Sequence, residues 1–299
     1  MMTSNSALQK GKGKEVLFKS VSYFLLILLT VIIIIPVLWT FIASIKEDVE
    51  FYGSPWALPK GIYLQNFADA WLKANMGDYM LNSVLVTALS IALLLVIALP
   101  AAYVLARYRF RGNLLLNTMF MAGLFINVNY IIVPIFLMLN NGDKMARTMF
   151  GQPILLNNII VLALVYTAMA LPFTIYLLSG YFKSLSKEYE EAASVDGAGH
   201  FRTMVQVIMP MARPAIITII LFNFLSFWNE YIISMTLLTK PDFKTLPVGL
   251  MNLLAAQKSA VEYGQLYAGL VIVMLPTLLV YILVQKKLTQ GMTMGGLKG

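Results

Sequence analysis

The chain has 299 residues, 59% of them hydrophobic and only 12% charged, with a mean hydropathy of +0.77; soluble domains carry about 25% charged residues, so the composition excludes an ordinary globular domain and indicates an all-α polytopic membrane protein. The absence of cysteine excludes disulfides, thiolate metal sites and cysteine nucleophiles, and the single histidine, His200, excludes a histidine-based metal cluster. The net charge of +8 reads as the Lys/Arg excess that sets membrane topology rather than as a nucleic-acid footprint.

Residues 1–19 form a Lys-rich N-terminal segment with Lys10, Lys12, Lys14 and Lys19. The apolar run that follows exceeds the 7–15 residues of a signal-peptide core, so a retained anchor is expected. Six charge-poor stretches then predict six spans within residues 20–290: Ser20 to Ile45, Tyr79 to Ala106, Gly112 to Leu139, Leu156 to Phe182, Pro214 to Thr239 and Tyr263 to Gln285. Each exceeds the roughly 20 apolar residues a bilayer core requires. Pro36, Pro100, Pro134, Pro172 and Pro276 lie in or near spans, where a missing backbone donor favours a kink. The outer connection from Lys46 to Asp78 has room for a short surface helix. With the N-terminus inside, the 22 basic residues divide 14 inside to 8 outside. Arg107-Tyr108-Arg109-Phe110-Arg111 is a compact inside marker, so both termini are predicted to be cytoplasmic.

The connection 183–213 is the longest on the inner side. Ser186 is a plausible N-cap, and Glu188, Glu190 and Glu191 suit the positive end of a short helix. Tyr189, Ala192 and Ala193 share one face, and Gly197 or Gly199 supplies a left-handed stop. Phe201, Val205 and Ile208 resume helical spacing before Pro210 and Pro214 lead into the fifth stretch. The residues alone fit a solubilising hairpin or a docking helix whose small side chains admit a close neighbour.

Glu191-Ala192-Ala193, Asp196-Gly197-Ala198, Phe201, Ile208 and Pro210 resemble the EAA motif of ABC importer permeases, E-A-A-x-x-x-G with a later I-x-L-P. Met209 stands where leucine is usual, a near-isosteric apolar change. The resemblance covers nearly the whole chain and is nearest the maltose-type, carbohydrate-uptake branch. It implies a type I importer permease (MetI-like) fold in a bacterial or archaeal cytoplasmic membrane. It further implies that Glu188 to Phe201 dock on an ATPase subunit, with two such ATPases, a second permease and an external solute-binding protein as partners. ATP and magnesium would be bound by the ATPases, and this chain would carry no cofactor. The substrate implied is a sugar or oligosaccharide, with glycerol phosphate or a related solute as the alternative. The tail 291–299 resembles the glycine-rich tails of such permeases, which makes Gly295, Lys298 and Gly299 candidates for ATPase contact.

Glu230 is the one ionisable side chain expected inside a span, and such a residue is a functional-site hypothesis by default. It lies in Trp228-Asn229-Glu230, a run that also resembles carbohydrate-uptake permeases; lining the solute path and pairing elsewhere are both open to it. Asn127, Asn129, Tyr130, Asn223 and Ser226 are further polar candidates for the path, although interhelical hydrogen bonding explains such residues equally well. An ion-driven transporter would call for inverted repeats and several intramembrane charges, which are not evident. No phosphate-cradling G-x-x-x-x-G-K-[ST] loop occurs, so no intrinsic ATPase activity is expected.

Overall fold

A computed structural model describes residues 3–256 and 262–296, and the regular elements among them are helices. In chain order these are α1 (Thr3–Ala43), α2 (Asp48–Gly53), α3 (Gln65–Leu72), α4 (Met76–Arg107), α5 (Asn113–Gly123), α6 (Val128–Phe150), α7 (Ile159–Ser184), α8 (Glu188–Val195), α9 (His200–Thr203), α10 (Met209–Met211), α11 (Arg213–Trp228), α12 (Ile232–Leu237), α13 (Leu246–Ala256) and α14 (Tyr263–Gly296). Among the described residues, four helical segments are long and apolar enough to cross a bilayer: Phe18–Ala43, Met76–Arg107, Ile159–Ser184 and Tyr263–Gln285. A fifth is added if His200–Met211 and Arg213–Trp228, bent by 76°, count as one. The third predicted stretch is interrupted, with α5 ending at Gly123 and α6 starting at Val128. The fifth is likewise divided into α11 and α12 by residues 229–231. The N-terminal segment is helical from Thr3, continuous with the first span. All five named prolines lie inside helices that continue through them.

The chain divides into two units. One comprises α1, α2, most of α3 and the first turns of α14. Its centre is Lys46, which has no exposed surface. The ammonium donates to the carbonyls of Pro55 (3.1 Å) and Ala57 (2.9 Å) and lies over the rings of Phe51 and Trp39, at 4.8 and 5.4 Å. Backbone acceptors and aromatic faces together replace the water a buried cation loses.

The other unit is built on α4 and α7. Ala98 and Ala102, one turn apart on α4, and Ala163 on α7 have little or no exposed surface, so small side chains let the helices approach closely. Two side-chain hydroxyls bridge the pair: Thr167 donates to the Ser90 carbonyl (3.2 Å) and Ser179 to that of Ala102 (3.3 Å). Leu94, Leu162, Leu178 and Phe182 fill the remaining space. α13 meets α4 at Gly249, where an added Cβ would collide with the ring of Tyr79. Helix α7 opens on Asn158, whose side-chain oxygen accepts from the amides of Ile160 (2.9 Å) and Val161 (3.4 Å).

Candidate functional site

The loop between α7 and α11 holds a separate short helix. Ser186 accepts a 3.3 Å bond from the Glu188 amide, and Glu188, Glu190 and Glu191 occupy the first turn of α8. The helix stops at Gly197, whose φ of +76° lies in the left-handed region. The Gly197 amide donates to Ser194 (3.0 Å) and the Ala198 amide to Ala193 (2.9 Å), the paired bonds of a Schellman closure. No atom lies within 4 Å of an added Gly197 Cβ, so backbone conformation, not space, demands glycine there.

Burial gives α8 two sides. Ala193 is buried, and Glu190, one turn earlier, has a side chain only 22% exposed. Glu188, Glu191, Ala192 and Asp196 face outward, together with Val195 and Phe201, which are 89% and 75% exposed. Large apolar surface thus lies beside three carboxylates on this side of the loop. Beyond α9 the chain widens into a π-helical turn, Met204–Ile208, whose Ile208 is buried; Pro210 is exposed.

The inner side of this loop rests on the end of α4. Arg107, with a side chain only 4% exposed, donates through Nη2 to the Leu185 carbonyl at 2.9 Å and, more weakly, to Ser186 at 3.5 Å. Its Nε lies 3.3 Å from Glu190 Oε1, an ion pair by distance that lacks hydrogen-bond alignment. The next residue, Tyr108, bonds through its hydroxyl to His200 Nδ1 at 3.0 Å and meets that ring edge-on. A cavity of about 360 Å³ is lined by these groups together with Ser194 and Thr203.

A second cavity, of about 410 Å³, opens between α7, α11 and α12. Phe173, Phe222 and Phe227 give it aromatic walls, and Asn223, Ser226 and Glu230 add polar atoms. Glu230 occupies the break between α11 and α12. Its Oε1 accepts from the Ile233 amide (2.7 Å) and its Oε2 from the Ser234 amide (3.0 Å), so it closes the start of α12. Oε2 also accepts a 2.6 Å bond from the Tyr166 hydroxyl on α7. Asn223 donates to Thr174 (3.3 Å) and to the Ile219 carbonyl (2.9 Å).

Of the polar candidates read from sequence, Asn223, Ser226 and Glu230 therefore meet at one cavity. Trp228 is buried and turned elsewhere, donating to the Val273 carbonyl at 3.2 Å and stacking on Phe224. Asn229 is exposed and bonds back to Leu225. Asn127 and Tyr130 are exposed and line neither cavity. The Asn129 side chain, Lys298 and Gly299 lie outside the described residues, and Gly295 falls in the last turn of α14. Sequence reasoning passed over Tyr166 and Phe173, which look like ordinary span aromatics, and Arg107 and Tyr108, which read as topology markers. Among the described residues, no group of three or more His, Asp or Glu side chains converges as a metal site.

Residues 98–294 match the family model described as "Binding-protein-dependent transport system inner membrane component". The chain is 39% identical over 278 residues to the diacetylchitobiose uptake system permease protein NgcG of Streptomyces coelicolor, covering 93% of this chain and 88% of that protein. It is 29% identical over 276 residues to the trehalose/maltose transport system permease protein MalG of Thermococcus litoralis, covering 91% and 94%. In architecture it is similar to a crystal structure of a bacterial ABC transporter involved in import of the acidic polysaccharide alginate. That match has a TM-score of 0.76 at 24% identity and covers 91% of this chain and 97% of the other.

Proposed function

Because the chain belongs to the binding-protein-dependent transport system inner membrane components, the permease subunits of ABC importers, we propose that it forms half of an oligosaccharide pathway driven by a separate ATPase at α8. The observation that carries this reading is the outward face of α8, where Glu191, Ala192, Val195 and nearby Phe201 are exposed on a helix firmly closed at Gly197. That face is the docking surface. Two ATPase subunits bind ATP and magnesium and close on nucleotide; α8 follows that movement. A second permease completes the pathway, and an external binding protein delivers the solute. Both termini and the α8 loop lie in the cytoplasm, in line with the basic residues at 107, 109 and 111. Gly295, Lys298 and Gly299 extend the contact with the ATPases.

The cavity at Glu230 fits the same reading. Aromatic walls favour the apolar faces of sugar rings, and Asn223, Ser226 and Glu230 suit their hydroxyls. The names of the relatives, with diacetylchitobiose and trehalose or maltose, support a di- or oligosaccharide as cargo. The decisive experiment replaces Gly197 with tryptophan and follows co-purification of the ATPase and uptake into proteoliposomes. Loss of both is expected; undiminished assembly and uptake would overturn docking at α8. For the cargo, the partner binding protein is titrated with diacetylchitobiose, maltose and glycerol phosphate. Tight binding of glycerol phosphate alone would refute the sugar assignment.

A further inference from the structure

The same loop has an inner side, and there the contacts are with α4 rather than with a partner. Glu190 and Ala193 are the two α8 residues turned inward, and the remaining α8 side chains are exposed. Glu190 meets Arg107, and Arg107 also holds the Leu185 carbonyl through which α7 enters the loop. The second point of attachment is Tyr108 to His200, just past the Gly197 turn. The two attachments thus come from consecutive residues of α4 and its C-terminal cap, and they grip the loop before and after its glycine stop.

What lies behind Arg107 is the most firmly joined helix pair in the unit. Tyr103, one turn earlier, packs edge-on against both Tyr108 and Phe182. Ser179 and Thr167 of α7 bond to backbone carbonyls of α4, so side-chain hydrogen bonds tie the two helices together at two levels. Tyr166 and Phe173 on α7 form a wall of the 410 Å³ cavity, and Tyr166 bonds to Glu230 across it. A continuous set of contacts therefore runs from Glu190 through Arg107, α4 and α7 to the Tyr166–Glu230 bond.

We propose that Arg107 and Tyr108 are positioning residues for energy coupling, clamping the loop so that displacement of α8 is delivered to the α4–α7 pair and the cavity wall. The proposal rests on docking at α8. Arg107 and Tyr108 face away from the docking surface, so their loss separates hydrolysis from transport without releasing the ATPase.

The test uses the complete complex in proteoliposomes and reads three quantities: ATPase co-purification, ATP hydrolysis, and solute imported per ATP. Arg107→Ala and Glu190→Ala are each expected to keep the ATPase bound and to lower import per ATP about tenfold, with Tyr108→Phe giving a smaller loss. Because the pair acts as a unit, the double variant is expected to be no worse than either single one. Arg107→Lys, which retains the charge but not the forked geometry, is expected to recover part of the loss. Unchanged import per ATP in Arg107→Ala, strictly additive single losses, or release of the ATPase from both Arg107 variants each overturns the proposal. The tryptophan variant at Gly197 serves as the control: if it assembles and transports normally, docking at α8 has failed, whatever Arg107 shows.

Discussion

Two helix interruptions in this permease are closed by opposite means. At Gly197 the chain reverses into the left-handed region, and main-chain amides satisfy the carbonyls that the end of α8 leaves open. At residues 229–231 the carboxyl group of Glu230 is inserted instead, accepting from two amides of α12 and from Tyr166. The first break lies in an exposed loop, where water can serve any remaining polar group. The second lies between apolar helices, where each unpaired amide costs several times more than in water. A glycine turn suffices for the open carbonyls of the first, whereas the open amides of the second need a side-chain acceptor, which Glu230 supplies as Asn158 does at the start of α7. Glu230 is thus an architectural residue as well as a cavity-lining one.

The comparison can be broken most severely at Glu230. Glu230→Ala leaves the Ile233 and Ser234 amides and the Tyr166 hydroxyl without their acceptor, and destabilisation of about 3 kcal/mol is expected. Thermal unfolding in detergent measures it; a loss below about 1 kcal/mol would show that Glu230 does not hold α12. Next comes Gly197→Val, expected to cost roughly 1–2 kcal/mol locally because a β-branched residue is strained at positive φ. Gly197→Asn should recover most of that, since asparagine tolerates the same region. Amide exchange across α8 distinguishes the two, and equal protection in valine and asparagine variants would refute a conformational role. Tyr166→Phe removes one of three donors to Glu230 and is expected to cost about 1 kcal/mol by the same thermal measurement.

The smallest effect sharpens the rule at a third site. Asp143, near the end of α6 and beyond the predicted third span, accepts from the amides of Ile154 (2.8 Å), Leu155 (2.7 Å) and Leu156 (3.0 Å). Burial pushes its carboxyl pKa up, but these amides and Arg147 outweigh burial and hold it below the ordinary carboxylate value. A depressed folded-state pKa stabilises the fold above the unfolded value of about 3.9, and the benefit is lost as pH falls through the lower folded value. Wild type should therefore lose stability on acidification over that window, and Asp143→Asn should show a flatter profile. Identical slopes in the two proteins would refute this account.

Much of this architecture can be read from the residues. Long uncharged stretches can end close to the helix ends, as Tyr79 to Ala106 does against Met76–Arg107, because hydrophobic length is a local property. The α8 helix is equally legible, since its acids, small residues and Gly197 lie within a few positions of one another. The interruptions are less so: the break between Gly123 and Val128 falls in an uncharged stretch and carries no proline, and Gly123 and Asn127 alone are a weak signal for it. Partnerships are hidden for another reason. Tyr166 and Glu230 are 64 positions apart, and Arg107 reaches Leu185 across 78, so their contacts arise from packing and leave no periodic trace. Arg107 was legible as a charge near the inner surface, but its buried partner was not.

Helix α1 carries a consequence for the host bilayer. Its apolar segment, Phe18–Ala43, has 26 residues, and its most apolar window is buried nowhere within this chain. At 1.5 Å per residue the segment is about 39 Å long, against roughly 30 Å of hydrocarbon. The surplus is absorbed by inclination, up to about 40° from the membrane normal, or by local thickening of the lipid. Membrane thickness thereby limits the lean open to α1, less in thicker bilayers, and the lipid itself becomes one of the influences on this helix's placement.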